Sequence, residues 1–338
     1  MTIIYAIIIF CILIFLHEAG HLMAAKSVGI RVNEFALGMG PKICSFRKGE
    51  TKYSLRAIPI GGYCAMEGED ESSEDPKAFH NKPLLAKAFV LVAGSFMNLL
   101  AAVLILAVVV FSYGMPTTEI AAVGEGSPAE IAGMQAGDKI LSIDGQPIRK
   151  WEEIAAAIQE AGRDGAQDAR ITVVRDGAEL ELESGFYAGD DEVLRIGVTP
   201  AVKKSLSNAG SSLTLGATAT WNMGAAMLGA IGQIITGGAS VKDLTGPVGI
   251  VKIVGDVSKN GAVQLAQLTA LISLNLGLVN LLPFPALDGG RFIFLFVRKL
   301  TGRALTDEME GKVHFVGLLL LFALMIFVTF QDITRFIL

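Results

Sequence analysis

Soft metal ligands and thiols are scarce in this chain, which has three cysteines and four histidines in 338 residues. Cys11, Cys44 and Cys64 form no Cys-x-x-Cys pair, so neither a disulfide framework nor a thiolate zinc cluster is indicated. Charge is thin as well: Asp, Glu, Lys and Arg make up 18%, against an ordinary share of about 25%. Basic residues number 28 against 33 acidic ones, which gives no general attraction to phosphates and argues against a nucleic-acid partner. What the chain has in quantity is apolar residues, 52% of the total, gathered into long blocks. That patterning excludes a disordered or collagen-like chain and a single water-soluble domain. It describes a protein whose partner is the lipid bilayer.

Four segments, residues 3–25, 88–112, 263–282 and 315–330, read as helices crossing a hydrocarbon core of about 30 Å. The fourth is short, and residues 329–338 are expected to extend it. No Lys or Arg precedes the first apolar stretch and no small-residue cleavage site follows it, so a retained helix is expected rather than a signal peptide. Charges between the spans are segregated. Residues 26–87 hold ten Lys/Arg and eight Asp/Glu, whereas residues 114–200 hold seven and seventeen. Residues 291–312 hold five Lys/Arg and three Asp/Glu. The positive-inside rule places the first and last of these regions on the cytoplasmic side and the acidic one outside.

The acidic region has the texture of a water-soluble domain. Residues 119–123, 139–143, 170–175, 179–183 and 193–198 read as short strands, residues 151–161 as an amphipathic helix, and Gly/Asp/Pro turns separate them. Residues 201–262, rich in Ala, Gly, Ser and Thr, read as a linker with amphipathic or interfacial helices. The resulting division is residues 1–113, 114–200, 201–262 and 263–338.

Chemistry concentrates in the first span, which reads Phe15-Leu16-His17-Glu18-Ala19-Gly20-His21. Residues four apart share a helix face, so His17 and His21 can direct both imidazoles at one ion. Zinc suits such ligands, and in an HExxH pattern the Glu, here Glu18, is a general base rather than a ligand. A chain of this composition shows the pattern by chance about three times in a thousand. At ~1.5 Å per residue, His17 lies roughly 18 Å beyond Tyr5 and 14 Å before Lys26. Ionisable groups at such depth imply a partner or a function; the bland alternative is a trio that snorkels toward headgroups.

A third ligand must come from elsewhere. His80 and His314 read as surface or interfacial histidines. The end of the third span is the better source: Asn280-Leu281-Leu282-Pro283-Phe284-Pro285-Ala286-Leu287-Asp288-Gly289-Gly290-Arg291, in which Asp288 is the one acid between Asp256 and Asp307. Prolines and glycines that break a helix at membrane depth are tolerated only against protein or a water-filled cavity. A catalytic centre of two histidines and a carboxylate with an open fourth position fits. The alternative is an acid in a cytoplasmic turn, paired with Arg291.

The two motifs together resemble the site-2 protease family of intramembrane zinc metalloproteases, in particular its RseP-like bacterial branch, over nearly the whole chain. The resemblance implies cleavage of transmembrane segments of single-span membrane proteins, such as pre-trimmed anti-sigma factors or signal-peptide remnants. It implies one zinc ion per chain held by His17, His21 and Asp288, with Glu18 as general base, in a multi-pass protein of the bacterial plasma membrane. Asn280 matches a family asparagine that orients substrate or stabilises the oxyanion. Gly94 and Asn98 match a Gly-x-x-x-Asn-like pattern, with Ser95 where proline is common, and Asn98 is carried as a substrate-binding candidate. Residues 32–37, 52–59 and 63–66, with Gly61 and Gly62 between the last two, resemble a membrane-dipping sheet whose edge pairs with extended substrate. Residues 127–145 resemble the PDZ core of bacterial proteases, acting as a peptide binder or a size filter. The expected architecture is therefore a polytopic α-helical membrane protein with an inserted extracytoplasmic PDZ domain of α+β type and a short membrane-associated β-sheet. The competing reading is a non-catalytic membrane scaffold recruiting partners through the PDZ domain. A transporter is disfavoured by having only four spans and no inverted repeat.

Overall fold

The computed structural model describes residues 2–69, 73–163, 166–188, 193–204, 209–237, 245–301 and 307–336. The chain opens with α1 (Thr2–Ser27), an apolar helix uninterrupted by glycine or proline until Gly20. It stops at Gly29 in the left-handed region (φ +71°), where Ile30 N–H reaches back to the Ala25 carbonyl at 2.8 Å, the glycine closure typical of helix C-termini.

Two long strands follow, β1 (Val32–Lys48) and β2 (Thr51–Met66). They extend beyond the three short strands expected from sequence, because residues 39–48 also pair despite poor alternation. Residues 34–37 face residues 62–65 on one side and residues 52–55 on the other, so the two strands bend back on themselves. Positive φ angles at Gly38, Gly40 and Gly61 allow those bends. Then comes α2 (Leu84–Tyr113).

The middle of the chain forms a separate compact unit, residues 109–212. Its elements are β3 (Met115–Val123), α3 (Pro128–Ile131), β4 (Lys139–Ile143), β5 (Gln146–Pro147), α4 (Trp151–Arg163), β6 (Asp168–Arg175), β7 (Ala178–Gly185), β8 (Tyr187–Ala188), β9 (Leu194–Arg195) and β10 (Val198–Lys203). The main sheet has the order β10-β3-β4-β6-β7, with β5 against β4. Ile171 and Val173 alternate inward along β6, Ile140 and Ile143 join them across a register shift in β4, and all four belong to one core with Ile154 and Ile158 of α4. The strand expected over residues 193–198 is instead split. Gly197 at φ +90° lies against Ser127, where a Cβ would come within 2.3 Å of the Ser127 Cβ. The chain therefore turns there, pairing β9 with β8 before β10 joins β3.

The second half of the other unit contains α5 (Ala209–Thr236), α6 (Pro247–Lys259), α7 (Ala262–Asn280), α8 (Asp288–Thr301) and α9 (Asp307–Phe336). Among the described residues, four helices are long and apolar enough to cross a membrane: α1, α2, α7 and most of α9. The region expected to hold interfacial helices contributes α5 and α6; its residues 205–208 and 238–244 lie outside the described ones. Both helices pack on the spans. Ala219, Met223 and Met227 of α5 join Ala102, Leu106, Ala270 and Leu274, and Val254 of α6 joins Ala6, Ile9 and Leu13 of α1. An acid on α9 anchors α6: Asp332, 3% exposed, accepts the N–H groups of Gly246 (3.2 Å) and Gly249 (2.7 Å). These are donors that a helix start leaves without intrahelical partners.

Candidate metal centre

His17 and His21 lie on the buried face of α1, and Asp288 opens α8. The loop between α7 and α8 folds back tightly over the helix start. A Cβ on Gly289 would stand 2.3 Å from the Leu281 carbonyl oxygen, and one on Gly290 would stand 2.2 Å from that of Phe284. This is why two glycines must follow the acid. The result is a small triangle of atoms: His17 Nε2 to Asp288 Oδ2 is 3.2 Å, His21 Nε2 to Asp288 Oδ2 is 3.4 Å, and the two Nε2 atoms are 3.3 Å apart. Tetrahedral zinc with bonds of ~2.0–2.1 Å holds its nitrogen and oxygen ligands about 3.3–3.4 Å from one another. The three side chains form a group able to hold a metal ion.

Tautomers support the same fit. His21 Nδ1 lies 2.9 Å from the Val90 carbonyl; a carbonyl only accepts, so that nitrogen carries the proton and Nε2 presents a lone pair. Asp288 Oδ2 is buried and, among the described residues, makes no hydrogen bond of acceptable geometry. Lone pairs on two imidazoles and a carboxylate oxygen thus converge, an arrangement that a cation relieves. Arg291 does not neutralise the acid, as the cytoplasmic-turn alternative required. It pairs with Glu69, in the segment after β2.

Glycine makes this arrangement possible. A Cβ at Gly94 of α2 would sit 2.2 Å from His21 Nε2 and 2.8 Å from His17 Cε1, and one at Gly20 would sit 2.4 Å from the Ala93 carbonyl oxygen. The two helices therefore touch backbone to backbone beside the imidazoles. Asn98, four residues beyond Gly94, is fully buried, with its amide nitrogen 3.4 Å from His17 Nδ1 and its Oδ1 without a hydrogen-bond partner among the described residues. Amide nitrogen and oxygen are assigned from the surrounding network. Turning the Asn98 amide presents an acceptor to His17 Nδ1–H and leaves His17 Nε2 with its lone pair. Its place behind the ring suits orienting His17.

Glu18 is half-buried on α1. Gly62 lies against it: a Cβ there would be 3.1 Å from Glu18 Cγ and 3.0 Å from the Ala36 carbonyl oxygen. Gly61, at φ +80°, adjoins Met39. Asn280, the last residue of α7, has its amide nitrogen 3.5 Å from His17 Nε2. His80 is exposed and bonds the Gly68 carbonyl. His314 is not a surface residue; it lies against the loop before Asp288, where its Nδ1 accepts the Ala286 N–H at 2.8 Å. No spacing rule links positions 286 and 314, so the contact is invisible until the helices are packed.

With that geometry in hand, comparison with known proteins is decisive. Residues 5–324 match the family described as Peptidase family M50. The chain belongs to this family. Members similar to it include the zinc metalloprotease RasP of Bacillus licheniformis, 32% identical over 99% of this chain and 99% of that protein. The regulator of sigma-W protease RasP of Bacillus subtilis (strain 168) is 31% identical over 99% and 98%. Among solved structures, one from Geobacillus thermodenitrificans is 32% identical over 25% of this chain and 95% of its own, with a TM-score of 0.21. The PDZ domain of an SdrC-like protein from Listeria monocytogenes is 19% identical over 25% and 88%, with a TM-score of 0.22. The chain is thus an M50 metalloprotease of the site-2 type, a multi-pass membrane protein in a family whose members use zinc.

Proposed function

We propose that this M50 protein is a zinc-dependent endopeptidase that cuts the membrane-spanning segments of single-span proteins. The observation that carries the reading is the triangle of His17 Nε2, His21 Nε2 and Asp288 Oδ2, with edges of 3.2–3.4 Å, set beside Glu18. In this reading those three side chains hold one zinc ion per chain. Bound there, zinc supplies Lewis-acid activation of water and of the scissile carbonyl. The remaining work falls to the chain. Glu18 accepts a proton from the attacking water and hands it to the leaving amine. Its packing on Gly62 helps hold the carboxylate in place. The Asn280 amide stands close enough to donate to a developing oxyanion.

A substrate helix hides its amides in internal hydrogen bonds and must unwind before attack. Residues 62–66 pair along one side with residues 32–37, and strand addition on the remaining side would hold an unwound segment by backbone bonds alone. Gly61 and Gly62 add no side chain of their own there, and Met39 and Glu18 pack against them.

Charge distribution supports a centre toward the cytoplasmic side and the residue 109–212 unit, read as a PDZ domain, outside. Pre-trimmed anti-sigma factors and signal-peptide remnants are the substrate classes that fit, and the sigma-W name of one relative accords with the first. The test is Glu18→Gln in native membranes with a membrane-embedded reporter. The variant should keep its metal, lose cleavage by a factor of about 10³ or more, and crosslink to single-span proteins. Cleavage at the unaltered rate would overturn the assignment of the base.

A further inference from the structure

The turn that delivers Asp288 is held by its own Leu287 N–H to Phe284 carbonyl bond and by a neighbouring helix. Ala286 has φ +76°, a left-handed conformation that side-chain-bearing residues hold only where their surroundings impose it. Here the surroundings are α9. His314, whose side chain is 14% exposed, accepts the Ala286 N–H at Nδ1, 2.8 Å away. Its ring packs on Phe294 of α8, with centroids 5.3 Å apart. Because Nδ1 accepts, the imidazole proton sits on Nε2, which faces the Glu310 carboxylate at 3.8 Å. Three residues further along α9, Gly317 meets the same turn: a Cβ there would be 2.4 Å from Pro285 Cβ and 2.6 Å from its carbonyl oxygen. One face of α9 is thus shaped to receive residues 285–286. An amide left without an acceptor at this depth is costly, so losing the imidazole removes the reason for Ala286 to stay in the left-handed region. Rotation there is passed directly to Leu287 and Asp288.

We infer that His314 is a positioning residue: by holding the Ala286 amide it fixes the turn that aims the Asp288 carboxylate at His17 and His21. This rests on the reading of those three side chains as the zinc site. It assigns to the last span a part in the site that neither sequence motif contains.

The experiment uses the full chain in detergent, with zinc affinity measured by chelator competition and the absorption bands of the cobalt-substituted protein as a second readout. His314→Leu keeps apolar bulk against Phe294 but removes the acceptor. It should weaken zinc binding by about 10–100-fold, the usual effect of losing a group that orients a ligand, and alter the cobalt bands. His314→Asn places Oδ1 where Nδ1 stood and should recover most of the affinity. Ala286→Gly added to His314→Leu should recover only part of it, since glycine holds φ +76° unaided but its amide still lacks the acceptor. If His314→Leu alone does not fold, His314→Asn decides: tight zinc binding supports the inference, and weak binding overturns it. Wild-type affinity and cobalt bands in His314→Leu would overturn it, as would a His314→Asn protein no better than His314→Leu. A wild-type chain that binds no zinc at all would instead refute the underlying metal site.

Discussion

Gly94 lies beneath the imidazole of His21, so close that a single methyl group there would stand 2.2 Å from Nε2. Space for the proposed ion's ligands is therefore set by α2, which contributes none of them. Gly94→Ala should push both imidazoles out of line and weaken zinc binding by about 10-fold or more, in the range of other losses that misorient a ligand. Chelator competition on the purified variant checks this, and an unchanged affinity would mean that the helices part without cost.

Acid should loosen the β1–β2 sheet. Burial raises the Glu34 carboxyl, but hydrogen bonds from Ser54, Lys52 and Arg56 outweigh that and hold it at about 2, against an ordinary 4.5. A carboxyl lowered by folding stabilises fully above its unfolded value, and the stability is lost as pH falls through the folded one. Glu34→Gln should cost about 2 kcal/mol at neutral pH. The gap between variant and wild type should close between pH 4.5 and about 2. Thermal unfolding of both proteins across that range is the measurement.

Within the residue 109–212 unit, Asp138 is fully buried and holds Arg175 through two 2.7 Å contacts, while it accepts the Gln135 N–H at 2.8 Å. The Arg175 guanidinium keeps that carboxyl below the usual range, against the effect of burial. Asp138→Ala leaves the arginine without its partner. The expected loss is about 3 kcal/mol, the low end for a broken buried pair because Arg175 is itself partly exposed. Hydrogen exchange in the full chain should show faster exchange through β4 and β6, with α1 and α2 unaffected.

Local patterns were legible in the sequence and long-range ones were not. The spacing of His17 and His21 is a property of one helix, and the isolation of Asp288 among apolar residues is visible by inspection. Spans stood out because lipid demands about 20 apolar residues in succession. The β1–β2 pairing ran past its expected ends because glycines replace alternation at the bends. Val90 and His314 reach the centre only through packing of α2 and α9, and nothing in their own neighbourhoods marks them, whereas Gly94 stood out only through the Gly-x-x-x-Asn-like pattern it forms with Asn98. His314 read as a surface or interfacial residue because a charged stretch precedes it, yet its ring is turned toward Ala286 and Phe294. Arg291 shows the same blindness: three residues from Asp288 in sequence, it reaches instead to Glu69.

Metal content of the purified chain is the most direct test of the whole account. Wild-type protein should carry about one zinc per chain, and His17→Ala, His21→Ala and Asp288→Ala should each lose it while their helices remain folded. Stoichiometric zinc surviving in the double His17→Ala/His21→Ala protein would contradict the account.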